Sequence, residues 1–174
     1  RPGSGKTTTA YAFVLDRLRK FGGTAWTVEN PIEFAKQGQH GKGWLYQTEV
    51  DDDEQIGPEI RELYRLVPNI LFVGEVRDAR AMKEIVRAAG SGYLVVFTFF
   101  GNDLANSIGQ ASRLASADKS TDVNVAFAEV LRAMIYLELQ VPPVEAKVRE
   151  TAWVGDDEPT GHSRQLLVAS PLFI

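Results

Sequence analysis

The chain has 174 residues, 44% of them hydrophobic and 24% charged, which is enough to bury a core and is ordinary for a globular protein. Its net charge of -4 argues against a dedicated DNA or RNA binder, so we expect no nucleic acid as primary ligand. Cysteine is absent, which excludes disulfides and thiolate metal sites and agrees with a cytoplasmic location.

The chain opens on a glycine-rich segment, R-P-G-S-G-K-T at residues 1–7, which matches the last seven positions of the P-loop pattern G-x-x-x-x-G-K-[ST]. In such a loop, glycines let backbone N–H groups face phosphate oxygens at the start of a helix. Lys6 would contact the β- and γ-phosphates, and Thr7 would bind Mg²⁺. The predicted nucleotide-binding residues are Gly3, Ser4, Gly5, Lys6, Thr7 and Thr8. The first glycine of the pattern would precede Arg1, so we expect a domain truncated at its N-terminus inside the P-loop.

Hydrophobic periodicity and turn residues predict the elements of the first half of the chain. A helix is predicted over 8–19, and strands over 24–29 and 44–50. We predict a glycine-rich loop over 37–42 and a solvated acidic turn over 51–54, which leads into a helix over 58–66.

The second half begins with a continuous apolar run at 69–75, which is typical of a parallel strand buried on both faces. The remaining pattern predicts helices over 79–89, 104–115 and 123–134, and strands over 93–99, 135–141, 148–154 and 165–169. Alternation of strands and helices predicts an α/β fold with a mostly parallel twisted sheet flanked by helices. The final strands predict a small β extension at the C-terminus, within a single domain over 1–174.

Glu75 ends the apolar run at 69–75, and therefore lies at the sheet edge where α/β proteins bind ligands. A carboxylate at that edge can polarise the water that attacks a γ-phosphate. The alternative is a surface glutamate in a tight turn.

Two further segments, T-V-E-N-P-I-E at 27–33 and V-G-E-V-R-D at 73–78, follow the P-loop in order. They resemble the acidic box and the Walker B region of the secretion ATPases of the type II and type IV pilus superfamily. This family includes pilus assembly and retraction ATPases and the ATPases of type IV secretion systems. Further matches are Gln47 to Val50, Arg61 and Arg65 before Pro68, and Thr98 with Asn102.

The resemblance implies a P-loop NTPase core of the RecA-like type that hydrolyses ATP with Mg²⁺. It implies that Glu75 is the general base and that Glu29 holds water or the metal, so Mg²⁺ on Thr7 would contact Glu29 or Glu75 through water. Glu33 is a weaker candidate for this cluster, and either Glu29 or Glu33 would alternatively cap a loop. Arg77 is expected to form a structural pair with Asp78.

Arg61 and Arg65 are possible trans arginines, because an arginine from a neighbouring subunit can stabilise transition-state charge. Their i, i+4 spacing on one helix is equally that of a solvated basic edge.

The sequence departs from the family at three positions. Tyr93 and Phe100 replace both histidines of the family's histidine box, and Asn30 replaces the aspartate of its acidic box. Neither replacement in the histidine box ionises near neutral pH. We therefore expect hydrolysis to be slow, or coupling between subunits to be altered.

The resemblance also implies a homo-hexamer that powers pilus assembly, pilus retraction or substrate transport. Its partners would be inner-membrane platform or secretion-system proteins, which would place it in the cytoplasm, peripherally at the inner membrane. Members of the family carry an upstream N-terminal domain, which we expect to be absent from this sequence. Two alternatives remain open: a nucleotide-binding regulatory or scaffold subunit with weak or no hydrolysis, and, less favoured for want of a basic lid, a P-loop kinase.

Overall fold

The computed structural model describes residues 3–116, 123–140 and 166–173. Helices and strands alternate through most of this part of the chain. In chain order the elements are α1 (Lys6–Phe21), β1 (Gly23–Glu29), β2 (Gly38–His40), β3 (Gly43–Glu49), α2 (Asp53–Leu63), a 3-10 turn (Tyr64–Leu66), β4 (Ile70–Glu75), α3 (Ala79–Gly90), β5 (Leu94–Thr98), α4 (Leu104–Ser116), α5 (Val123–Val130), β6 (Ala133–Gln140) and β7 (Leu166–Phe173).

Five strands form the main sheet, in the order β2-β3-β1-β4-β5. β1 pairs in parallel with β3 and with β4, and β4 pairs in parallel with β5, whereas the short β2 is antiparallel to β3. The predicted α/β fold with a mostly parallel sheet is therefore confirmed. Because β1, β3, β4 and β5 run the same way, their carboxyl ends meet at one edge of the sheet.

The two faces of the sheet are covered by different helices. Buried side chains of α1 pack against one face of the sheet, on which Ala25, Leu45 and Phe72 lie. α2 and α3 pack on the opposite face, against Val28 and Val73. Thus α1, which follows the P-loop, is separated by the sheet from α2 and α3.

Two predictions for the first half of the chain are wrong in detail. The predicted loop over 37–42 contains β2, in which Gln39 lies opposite Trp44 of the neighbouring strand. The helix predicted over 58–66 begins at Asp53, because Asp52 caps its N-terminus by accepting a hydrogen bond from the backbone N–H of Glu54 at 3.0 Å. Acidic residues in a first helical turn are favoured by the helix dipole, so part of the predicted acidic turn is helical.

The end of the described chain also differs from expectation. The helix predicted over 123–134 ends at Val130, and Ala133 and Met134 belong to β6. β6 and β7 pair antiparallel and form a second, two-stranded sheet. The β extension is thus a separate sheet, and the strand predicted over 148–154 lies outside the described residues. None of the helices described is both long and apolar enough to cross a membrane.

Candidate active site

The P-loop places the N-terminus of α1 next to a buried hydroxyl, that of Ser4. Gly3 and Gly5 adopt left-handed backbone conformations, with φ of 72° and 84°, which favour glycine. Gly5 is the N-cap of α1 and supplies no side chain to cap the first turn. Among the residues that the structure describes, the buried Oγ of Ser4 has no hydrogen-bond partner. An uncapped helix N-terminus beside an unpaired hydroxyl fits a phosphate group, which accepts hydrogen bonds from both.

Glu29, at the carboxyl end of β1, is almost fully buried, with 1% of its surface exposed. Its Oε1 accepts hydrogen bonds from the hydroxyls of Tyr11 (2.5 Å) and Thr27 (2.6 Å) and from Nε2 of Gln47 (3.3 Å). Tyr11 lies on α1, so the P-loop helix and the acidic strand are joined directly. Burial, followed by the hydrogen bond and the charge of Glu29, raises the pKa of Tyr11 above its ordinary value. Tyr11 therefore keeps the proton that it donates.

Glu75, at the carboxyl end of β4, follows a bulge in the sheet. The pairing of β4 with β5 shifts at Gly74, so that Val73 lies opposite Phe97 while Glu75 lies opposite Thr98. Bulges redirect the side chains beside them and are common near active sites. A Cβ on Gly74 would lie 3.4 Å from Cα of Glu29, so the backbone here packs directly against Glu29. The structure thus places the two predicted carboxylates at the ends of adjacent strands.

Arg77 holds Glu75 and connects it to two other segments. Its Nε donates to Oε1 of Glu75 at 3.2 Å, and its Nη1 lies 3.5 Å from Oδ2 of Asp53. Oδ1 of Asp53 accepts a hydrogen bond from Nδ2 of Asn30 at 2.9 Å. Asp53 therefore bridges the loops that follow β1 and β4. The hydrogen bond to Glu75, followed by its charge, raises the pKa of Arg77.

The expected pair of Arg77 with Asp78 is not what the structure shows. Asp78 caps α3 by accepting hydrogen bonds from the backbone N–H groups of Arg80 (2.9 Å) and Ala81 (3.2 Å). Arg77 turns instead toward Glu75 and Asp53. A residue with extended backbone just before a helix is suited to capping, which explains the role of Asp78.

The two possible trans arginines lie in neighbouring elements: Arg61 is in the last turn of α2, and Arg65 is in the 3-10 turn that follows α2. Arg61 pairs with the buried Glu84 of α3 at 2.7 Å, and Arg65 pairs with Glu62 at 3.5 Å. None of the contacts described for these two arginines is to Glu29 or Glu75 of the same chain. Glu33 is exposed on the loop after β1.

The residues that replace the histidines lie at opposite ends of β5. Tyr93 precedes the strand, stacks on Tyr64 with ring centroids 5.7 Å apart and donates to the Tyr64 carbonyl at 3.4 Å. Phe100 follows the strand at the carboxyl edge and is 43% exposed. It lines a cavity of about 430 Å³ together with Val76, Arg77, Phe99, Gln110, Arg113 and Leu114. Only Phe100 is therefore at the edge that carries the two glutamates.

Sequence reasoning assigned no role to four residues of this network. Tyr11 lies in the helix predicted over 8–19, and Asp53 lies in the predicted acidic turn over 51–54. Thr27 and Gln47 lie in segments that resemble motifs of the family. One signal was available: Thr27 and Glu29 are two residues apart on a strand, so their side chains share a face.

The chain is similar to a family model and to known proteins. A family model described as "Type II/IV secretion system protein" matches residues 2–138. The chain is 36% identical over 114 residues to the type II secretion system protein E of Dickeya dadantii (strain 3937), a match that covers 64% of this chain and 21% of the relative. It is 33% identical over 108 residues to the type IV pilus assembly ATPase PilB of Myxococcus xanthus (strain DK1622), covering 61% of this chain and 18% of the relative. The chain thus spans about a fifth of the length of these relatives.

Solved structures share the fold. The pilus retraction motor PilT, solved with bound ADP, matches with a TM-score of 0.76 at 24% identity, covering 98% of this chain and 44% of that one. The ATPase DotB of Legionella pneumophila matches with a TM-score of 0.77 at 21% identity, covering 99% of this chain and 43% of that one.

Proposed function

Because this chain belongs to the type II/IV secretion system protein family, we propose that it is the ATP-hydrolysing domain of an oligomeric secretion or pilus motor. The family predicted from the sequence motifs is confirmed by the match over residues 2–138. Hydrolysis would power pilus assembly, pilus retraction or substrate transport. The observation that carries this proposal is that α1, which follows the P-loop, contacts Glu29, while Glu75 ends the adjacent strand at the same edge.

The residues at this edge fit ATP with Mg²⁺. The backbone from Gly3 to Thr7 and the hydroxyl of Ser4 would bind phosphate oxygens, and Lys6 would contact the β- and γ-phosphates. Among the residues described, no cluster of three or more His, Cys, Asp or Glu is arranged to hold a metal. Mg²⁺ at a phosphate site keeps several waters and needs few protein ligands. Thr7 would be its direct ligand, with Glu29 or Glu75 contacting it through water; when bound, Mg²⁺ neutralises phosphate charge.

The chemistry proposed for Glu75 is general base catalysis. Its carboxylate accepts a proton from water as the water oxygen attacks the γ-phosphorus and the bond from that phosphorus to the ADP oxygen breaks. Arg77, bonded to Oε1, orients the carboxylate. Glu29, held by three neutral donors, supplies a second fixed negative charge beside the P-loop helix.

The proposal that hydrolysis is slow rests on Phe100, which replaces a histidine of the family. Tyr93 contacts Tyr64 at the opposite end of β5, so it does not face the reacting phosphate of its own chain. Phe100 lies at the catalytic edge and offers only apolar surface where the family has histidine. The same observation favours the second candidate function, a regulatory or scaffold subunit that binds nucleotide and hydrolyses it weakly or not at all.

The assembly would be a homo-hexamer in which residues 1–174 are the C-terminal ATPase domain and a further N-terminal domain is supplied upstream. It would act in the cytoplasm, peripherally at the inner membrane, through platform or secretion-system proteins. Arg65 is the better candidate for a trans arginine, because its side chain is 80% exposed and its described partner, Glu62, is also exposed. Arg61 would first have to leave Glu84.

Steady-state ATP hydrolysis by the full-length protein, with oligomer mass recorded in the same buffer, tests the motor against the regulatory subunit. We expect measurable Mg²⁺-dependent turnover in a hexamer, abolished by Lys6→Ala and increased by Phe100→His. Tight ATP binding without turnover would favour the regulatory subunit. An unchanged rate in Phe100→His would show that the apolar replacement does not limit hydrolysis.

A further inference from the structure

We propose that Tyr11 is a positioning residue for the reaction: its hydroxyl, carried by the P-loop helix, fixes the orientation of the Glu29 carboxylate at the nucleotide site. This inference rests on the proposed ATP hydrolysis. Tyr11 does not touch substrate in this account, and acts through Glu29.

The hydroxyl of Tyr11 lies between two polar side chains and uses both of its hydrogen-bonding capacities. It donates to Oε1 of Glu29 at 2.5 Å and accepts from Nε2 of Gln47 at 2.7 Å. The ring is buried, and it packs edge-on against Phe72 (4.9 Å between centroids) and Phe34 (5.8 Å). The hydroxyl is therefore held in place by the packing of its own ring.

The three donors to Glu29 come from three different elements and share one oxygen. Tyr11 belongs to α1, Thr27 to β1 and Gln47 to β3, and all of them bind Oε1. Rotation of the carboxylate would break these bonds inside a buried site, where an unpaired charged oxygen is costly. The orientation of Glu29 is thus set by the fold before nucleotide binds, which is the preorganisation that electrostatic catalysis requires.

Tyr11 also links Glu29 to the element that would bind phosphate. It lies five residues after Lys6 on the same helix, so a displacement of α1 on phosphate binding carries the Tyr11 hydroxyl with it. Gln47 extends the network, because its Nε2 donates to the Phe34 carbonyl at 2.9 Å and its Oε1 accepts from the Lys36 backbone N–H at 2.6 Å. The network therefore runs from the P-loop helix, past Glu29, to the loop that follows β1.

A tyrosine that only fills the core would behave differently from one that positions a carboxylate. Phenylalanine would keep the ring contacts of Tyr11 with Phe72 and Phe34 and remove only the hydroxyl. The change therefore removes the hydrogen bonds of the hydroxyl to Glu29 and Gln47 and leaves the ring contacts in place. Tyr46→Phe is the matched control, because it also removes one tyrosine hydroxyl. The ring of Tyr46 stacks on Trp26, on the face of β3 opposite Gln47.

The experiment uses the full-length protein with Tyr11→Phe, Glu29→Gln and both changes together. The readouts are kcat, KM for ATP, the Mg²⁺ concentration for half-activation, and Mg²⁺ affinity in the presence of ADP, measured by calorimetry. For Tyr11→Phe we expect kcat to fall about tenfold with KM within twofold of the wild type, and Mg²⁺ affinity with ADP to fall severalfold. Tyr46→Phe is expected to match the wild type in each readout.

The double variant decides between positioning and packing. If Tyr11 acts through Glu29, adding Tyr11→Phe to Glu29→Gln causes no further loss of kcat or of Mg²⁺ affinity. Additive losses, or a Tyr11→Phe protein that matches the wild type, would overturn the inference. Should the wild type bind ATP without turnover, the proposed hydrolysis fails, while the Mg²⁺–ADP affinities still test Tyr11. The urea midpoint of the nucleotide-free Tyr11→Phe protein confirms that it is folded.

Discussion

Arg77 donates a hydrogen bond from Nε to Oε1 of Glu75, two residues earlier, at 3.2 Å. The proposed general base, Glu75, is therefore held by the guanidinium of Arg77, which also contacts Asp53. Such a contact orients the carboxylate.

Replacing Arg77 tests whether this contact serves catalysis. In Arg77→Gln we expect kcat to fall at least tenfold, because Glu75 loses the group that orients it. ADP affinity should stay within about threefold, since none of the described contacts of Arg77 is to the P-loop. Lys20→Gln is the control. Among the described contacts, Lys20 forms one ion pair, with the exposed Asp16 one turn earlier on α1. Equal kcat in the wild type and in Arg77→Gln would show that the ion pair is only structural.

The unpaired hydroxyl of Ser4 predicts opposite effects on stability and on nucleotide affinity. Ser4→Ala removes a buried polar atom that has no partner within the described residues, so the nucleotide-free protein should melt at the same temperature or higher. Phosphate would lose a hydrogen-bond donor, so the increase in melting temperature caused by ADP should be smaller than in the wild type. Thermal unfolding with and without ADP measures both. An unchanged ADP-induced increase would show that Ser4 does not bind phosphate.

The cluster around Glu84 predicts an asymmetric effect on stability. Glu84 is buried and binds both Arg61 and Arg87, which are more than half exposed. Removing both arginines by Arg61→Ala with Arg87→Ala leaves the buried carboxylate of Glu84 without its cationic partners, and should lower the free energy of unfolding. Adding Glu84→Gln to that variant should recover part of the loss, because the stranded charge is gone.

Urea denaturation measures this series. Arg80→Ala is the control, because Arg80 and its partner Glu54 are both exposed, and an exposed ion pair contributes little to stability. If Glu84→Gln destabilises the variant that lacks both arginines further, the Glu84 carboxylate still has a stabilising partner in that variant.

Much of the fold and the positions of the two proposed catalytic carboxylates follow from the sequence, because each depends on local patterns. The apolar run before Glu75 identifies a buried strand, and parallel strands place their carboxyl-end residues at one edge. This is sufficient to bring Glu29 and Glu75 together.

The supporting residues do not follow from local patterns. Tyr11 sits at helical spacing among apolar residues, and only the packing of α1 on β1 shows that its hydroxyl meets Glu29. Asp53 lies in an acidic run, and its role depends on a contact with Arg77 across 24 residues of sequence. The pairing of β6 with β7 depends in the same way on contacts distant in sequence.

The raised pKa of Tyr64 predicts that the folded protein loses stability at high pH. Burial, followed by the charge of Glu84, raises the pKa of Tyr64 from 10 to about 12 in the folded protein. Above pH 10 the unfolded chain therefore loses this proton first, so it binds fewer protons than the folded chain, and stability falls as pH rises from 10 to about 12. In Tyr64→Phe the decline over this range should be shallower. Urea unfolding at several pH values measures it, and an unchanged decline would show that Tyr64 titrates normally in the folded protein.

Glu75 is proposed to act on the attacking water at a P-loop that binds ATP independently of this carboxylate. The most direct measurement compares ATP affinity and single-turnover hydrolysis in the full-length wild type and in Glu75→Gln, which keeps the size and removes the charge. We predict ATP affinity within about threefold of the wild type and a hydrolysis rate lower by a factor of about 100 or more, which is the range of general base catalysis. Hydrolysis by Glu75→Gln at the wild-type rate would contradict general base catalysis by Glu75.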